Sequence, residues 1–190
     1  SFLPGPERTV AERLKSISLH EIDLSNGAVL ETNCVYIVPL LESLALPSDI
    51  AASANPKSST GRLDIFTRLI TDRAQEFDKV PAGYRGPLYL EVSPRTFPIV
   101  ARTGSRLSQM RFRRGDARLS DQETVTLHKT EPLVDGPLQV ANGLLLSIDL
   151  SEAAGRIAGY RAKRHTGVID VDKRGAYEVL DFWEPIDTRG

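Results

Sequence analysis

Val10, Leu14 and Ile17 recur at helical spacing, which predicts a short amphipathic helix over 9–17. Beyond it the rhythm shortens to brief apolar runs punctuated by Pro and Gly, the pattern of strands and turns. Strands are predicted at Ala28 to Leu30, Val35 to Leu40, Ile65 to Ile70, Leu88 to Val92, Phe97 to Ala101 and Arg106 to Phe112. In Ile65-Phe66-Thr67-Arg68-Leu69-Ile70 apolar residues outnumber polar ones, so that strand is expected to be covered on both faces. Leu46-Pro47-Ser48-Asp49-Ile50 predicts a brief helical turn capped by Ser48 or Asp49. Many short strands and few helices imply an all-β barrel or sandwich.

The pattern changes near Gly115. Residues 115–137 are polar, carry two prolines and lack a period, so a linker or long excursion is expected there. Gly143-Leu144-Leu145-Leu146-Ser147-Ile148-Asp149-Leu150 then reads as a new strand, followed by Ile157 to Arg161 and Thr166 to Val171. This closing stretch is too short to fold alone. It must pack on the first unit or belong to an incomplete second one. The division expected is a first unit at 1–115, a linker at 116–139 and the opening strands of a second unit at 140–190.

With 190 residues, 41% of them hydrophobic, the chain suits one packed domain, or one and part of another. A formal charge of −1 argues against a broad basic face for nucleic acid. The local run Arg111-Phe112-Arg113-Arg114 reads as a solvated strand end. Cys34 is the single cysteine, so no intrachain disulfide forms and the cytoplasm is the expected compartment. Its neighbours Val35, Tyr36 and Ile37 predict a small buried hydrophobe at Cys34. No stretch is apolar enough to span a bilayer, and none reads as a secretory leader. The opening Ser1-Phe2-Leu3-Pro4, without an initiator methionine, suggests a window from a longer polypeptide.

Two features carry chemistry. In Lys57-Ser58-Ser59-Thr60-Gly61-Arg62, hydroxyls, a glycine and two flanking cations suit an anion, the more so if Ser58 or Ser59 caps a helical turn. The order Gly-Lys-Ser/Thr is absent, so this is no P-loop, and alone the hexapeptide favours an ordinary turn. Glu91 lies among Leu88, Leu90 and Val92, where desolvation would raise a carboxyl's pKa and fit it to shuttle protons. Alone, simple alternation is favoured, with Tyr89 and Glu91 both facing water. His20, His128 and His165 are scattered, and one cysteine cannot build the usual deaminase zinc site. No Gly-x-Ser-x-Gly elbow supports serine-hydrolase chemistry. Asp170-Val171-Asp172 reads as a strand-end turn rather than a metal site.

Taken in order, Leu46-Pro47-Ser48-Asp49-Ile50-Ala51-Ala52, Lys57-Ser58-Ser59-Thr60-Gly61-Arg62-Leu63, Gly83-Tyr84-Arg85-Gly86-Pro87-Leu88-Tyr89-Leu90-Glu91, Phe97-Pro98 and Gly104-Ser105-Arg106-Leu107-Ser108-Gln109-Met110-Arg111-Phe112 resemble the pattern of dCTP deaminases. The resemblance covers roughly Leu30 to Phe112 and is closer to the long, internally duplicated bacterial form. It implies a distorted β-barrel of the dUTPase-like type, assembled as a trimer or pseudo-trimer with active sites between units. The strand Ser147-Ile148-Asp149-Leu150 then resembles the opening of a second copy, the first unit lacking its own.

The resemblance implies zinc-free deamination of dCTP to dUTP and ammonia, with Mg2+ arriving on the triphosphate. Glu91 matches the catalytic glutamate, and Ser58 and Arg62 match residues supporting it and the water. Lys57, Ser59, Thr60 and Gly61 match the triphosphate grip, with lysine at a position where the family usually has arginine. Thr71, Tyr89, Leu90 and Gln109 fall at further nucleotide-contacting positions. A sugar-binding aspartate is missing before the Pro-Gly-aromatic turn, where Val80-Pro81-Ala82 stands, so the sugar contact is expected from the other unit or from Asp78. Tyr160 and Lys163 are the nearest candidates for a tyrosine and lysine that close over the triphosphate. Rival readings are a dUTP diphosphatase, a bifunctional enzyme, and a non-catalytic nucleotide-binding module.

Overall fold

A computed structural model describes residues 2–116, 118–147, 157 and 159–186. Two compact units divide the chain, one comprising Ser1–Arg114 with Arg161–Glu184, the other Gly115–Tyr160 with Pro185–Gly190.

The first unit opens with helix α1 (Val10–Leu14), whose start is fixed by a capping box between Thr9 and Glu12. Strands β1 (Ala28–Leu30), β2 (Tyr36–Ala45) and β3 (Ile50–Pro56) lead to a single-turn helix, α2 (Ser58–Gly61). Next come β4 (Ile65–Thr71), β5 (Lys79–Val80), β6 (Arg85–Pro94), β7 (Ile99–Ala101) and β8 (Ser108–Arg114). These strands join three small sheets in the orders β2-β6-β4, β5-β3-β8 and β1-β7-β10, the last completed by β10 (Ile169–Asp170). All-β architecture is as expected, but the described strands form open sheets rather than one closed barrel.

The main core gathers Leu30, Ile65, Leu90, Val92, Phe97, Ile99 and Phe182. Phe97 is wholly buried and meets Phe182 and Trp183 edge-on, with ring centroids 5.6 and 5.2 Å away. Those aromatic partners come from helix α4 (Val179–Phe182) and the residue after it, a core contribution that the sequence pattern missed. β10 runs parallel to β7 with Ile169 opposite Ile99.

Several expectations are corrected. Ser48 and Asp49 form a hydrogen-bonded turn, Ile50 N–H donating to the Pro47 carbonyl at 3.1 Å, and the chain continues as β3 rather than as a helix. β3 was invisible as a strand because its core positions are small: Ala52 and Ala54 are buried between β5 and β8. β4 is covered on both faces only toward its end, since Phe66 is exposed while Leu69, Ile70 and Thr71 are buried. Cys34 is exposed, because it lies in the short irregular stretch between the Thr32–Asn33 turn and β2.

In the second unit, the expected linker contains helix α3 (Asp121–Thr130), started by a capping box between Ser120 and Glu123. The Asp121 carboxylate also accepts the amides of Asn142 and Gly143, at 2.9 and 3.0 Å. Residues 143–147 are not a strand; Leu144 makes only an isolated bridge to Val140. The remainder of that expected strand, 148–150, lies outside the described residues. β9 (Gly159–Ala162) and β11 (Trp183–Ile186), strands that neither unit holds whole, form a two-stranded sheet.

Candidate functional site

β6 runs between β2 and β4, so Glu91 stands at the centre of a sheet, opposite Ile37 on one side and Arg68 on the other. Alternation sends Leu90 and Val92 into the main core and turns Tyr89 and Glu91 to the reverse face. That face is not wet as simple alternation would have it. Phe2 and Val10 of the N-terminal segment cluster there with Ile70, Ala74 and Tyr89, and Glu91 keeps only 2% exposure.

A buried carboxylate needs a partner, and Arg68 provides it. Its Nε donates to Glu91 Oε1 at 3.0 Å, and Nη2 donates to the same oxygen. The guanidinium lies 3.6 Å from the centroid of the Phe77 ring and 4.8 Å from that of Phe66. Glu91 Oε2 receives only the Phe2 amide, at 3.4 Å. The fold therefore fixes one oxygen of the acid firmly and leaves the other weakly engaged.

The turn 57–62 differs from expectation at its start. Lys57, not Ser58 or Ser59, occupies the cap position of α2, and its side chain makes no capping bond. The turn is anchored instead to the strand entering β8: Lys57 N–H and Thr60 Oγ1 donate to the Leu107 carbonyl at 3.0 and 2.8 Å. Lys57 Nζ donates to the Arg106 carbonyl at 2.9 Å. Thr60 is buried by this anchoring, whereas Ser58, Ser59, Gly61 and Arg62 are exposed. A cavity of about 660 Å³ opens here, lined by Lys57, Ser59, Thr60, Arg62, Arg106 and Arg174 among others. Ser58 and Arg62 are not partners of Glu91 among the described residues.

A second cavity, of about 760 Å³, is bordered by Thr71, Asp72, Pro81, Ala82, Tyr84 and Arg85 among others. Thr71 thus joins a concave surface as expected, and Asp72, unremarked in the sequence, stands beside it. One Asp72 oxygen accepts the Val10 amide at 2.8 Å. Asp78 does not border this cavity. Its Oδ1 accepts the Leu69 amide at 2.7 Å, and burial pushes its carboxyl pKa up against that bond and the nearby Arg68. Burial likewise raises the hydroxyl pKa of Tyr84 and of Tyr89.

Of the other expected contacts, Leu90 is a core side chain and Tyr89 packs under Phe2 and Val10. Gln109 is exposed on β8, paired with Asn55. Lys163 gives its ammonium to the Leu180 carbonyl, and Tyr160, in the second unit, is exposed. Asp170 and Asp172 converge on Arg102 rather than on a metal: Nη1 donates to both, at 2.8 and 2.7 Å, and Nη2 to Asp170 at 2.8 Å. Arg102 holds the Asp170 carboxyl well below the usual range, at about 2. Among the described residues no group of three or more His, Cys, Asp or Glu gathers to hold a metal ion. No described helix is long and apolar enough to cross a membrane. Sequence reasoning missed Arg68 and Arg174; the one available signal was an arginine inside the apolar run of β4.

The family model for the 2'-deoxycytidine 5'-triphosphate deaminase (DCD) N-terminal domain matches residues 1–116, and that for the C-terminal domain matches residues 120–190. A dCTP deaminase of Acidianus ambivalens is 29% identical over 97 residues, 51% of each chain. The crystal structure of 2'-deoxycytidine 5'-triphosphate deaminase from Agrobacterium tumefaciens is similar at 64% identity and a TM-score of 0.90. That match covers 100% of this chain and 57% of the other. The chain thus spans about half the length of the relatives it matches.

Proposed function

Because the chain belongs to the 2'-deoxycytidine 5'-triphosphate deaminase family, matched over residues 1–116 and 120–190, we propose that it acts in hydrolytic deamination of dCTP to dUTP and ammonia. The observation that carries this reading is Glu91, a carboxyl buried in mid-sheet with one oxygen held by Arg68 and the other nearly free.

The chemistry needs one group that accepts and then returns a proton. Water adds to C4 of the cytosine ring while its proton passes to Glu91. The carboxyl delivers that proton to the ring nitrogen N3, then takes the proton of the new C4 hydroxyl and passes it to the departing amine. The C4–N bond breaks, ammonia leaves and a carbonyl remains. Fixing Oε1 through Arg68 orients Oε2 as the working atom, since the guanidinium fork allows little rotation. The substrate's phosphates fit the cations of the 57–62 turn, and Mg2+ enters bound to those phosphates as part of the substrate.

Ser58 and Arg62 reach Glu91, in this reading, from another unit of a trimer or pseudo-trimer. Their exposure and the separate setting of the acid support that arrangement. The C-terminal-domain match over 120–190 supports reading residues from 140 onward as the start of a second unit, although 161–184 cluster with the first. The single cysteine supports a cytoplasmic setting.

The test is ammonia release from dCTP by the full-length protein. Ammonia and dUTP in equal amounts are expected. Pyrophosphate instead would identify a diphosphatase, and nucleotide binding without either product would leave a binding module.

A further inference from the structure

We propose that the segment following β10 completes an anion site, with Arg174 and Arg106 gripping the phosphate chain of a nucleoside triphosphate beside Lys57 and Arg62. All four cations line one cavity of about 660 Å³. Among the described residues, Arg62, Arg106 and Arg174 make no ion pair with a carboxylate, as is true of most described arginines; what sets these three apart is that they line one cavity. Asp172 also lines the cavity, but its Oδ2 is already committed, receiving Arg102 at 2.7 Å and the Ser105 hydroxyl at 2.6 Å. The cavity therefore carries excess positive charge, and a concave surface of one sign concentrates the opposite ion.

Arg174 owes its place to a built support. β10 is paired to β7, and the guanidinium of Arg102 binds both Asp170 and Asp172. Lys173 N–H closes a turn on the Asp170 carbonyl at 3.2 Å, and Gly175, at φ 63°, redirects the chain immediately after Arg174. Several separated cations suit a polyphosphate better than a single carboxylate, because each phosphate can take its own charge-assisted bonds. For the nucleotide the proposal rests on the deaminase reading; for the anion it does not.

The test uses calorimetric titration of the full-length protein with inorganic tripolyphosphate, with dCTP and with deoxycytidine. Arg174→Ala and Arg106→Ala should each weaken tripolyphosphate and dCTP roughly tenfold or more, as for loss of a charge-assisted bond, and leave deoxycytidine unchanged. Arg174→Lys should recover most of that loss, and Arg174→Glu should deepen it. Both arginines are exposed, so the variants should fold. Wild-type tripolyphosphate affinity in both alanine variants overturns the proposal, as does an equal loss for deoxycytidine. Selective loss in a protein that leaves the dCTP amine intact supports the anion site and sinks only the deaminase reading.

Discussion

Glu91 and Arg62 are both charged and both belong to the first unit, yet they sit in opposite environments. Glu91 is buried in mid-sheet with its counter-ion supplied by the neighbouring strand. Arg62 is exposed beside a cavity, with no carboxylate partner among the described residues. A charge neutralised by the fold is tied to folding, because removing its partner strands an ion away from water. A charge left in solvent by the fold is free to meet a ligand, and its removal costs the fold little. Stability measurements should therefore be sensitive to the first region, and binding measurements to the second.

Glu91→Gln should produce the largest effect, a fall in dCTP deamination of about 10²–10⁴-fold, the range for losing a general acid–base group. Tripolyphosphate affinity should be kept; ammonia assay and titration check the two halves. Unimpaired turnover would break the contrast at once. Arg68→Ala should cost about 3–5 kcal/mol of stability in urea unfolding, since it leaves the Glu91 carboxylate buried and alone. Arg62→Ala should change stability by less than about 0.5 kcal/mol while lowering activity sharply. Similar unfolding curves for these two variants would erase the distinction.

Ionic strength sharpens the comparison further. Raising salt should weaken tripolyphosphate binding at the exposed cations and leave the Arg68–Glu91 contribution to stability nearly unchanged, because screening acts on solvated charges. The smallest effect concerns Asp170. Its folded pKa, about 2, lies below the ordinary carboxylate value, so its contribution is complete above about pH 4 and is lost as pH falls toward 2. Trp183 packs against Phe97 and is the only tryptophan, so its emission should follow that loss; Asp170→Asn should abolish the titration.

What the sequence disclosed followed the range of the forces involved. α1 and β1 are local matters of periodicity and capping, and β1 occupies the limits its apolar run predicts, Ala28–Leu30. α3 escaped notice because its polar composition hid the one local sign, Ser120 with Glu123. Glu91 could be singled out as an acid among apolar neighbours. Arg68 could not be assigned to it, because the pairing depends on the register of β4 against β6. The same holds for Arg174, which joins the 57–62 turn only through the pairing of β10 with β7.

The Phe77 ring beneath Arg68 has one consequence for a working acid. Whenever Glu91 is neutral, the guanidinium loses its ionic partner but still rests on a π-face, which attracts a cation without a charge of its own. The arginine can thus wait in position through half a cycle, so the carboxylate finds the same seat each time it re-forms.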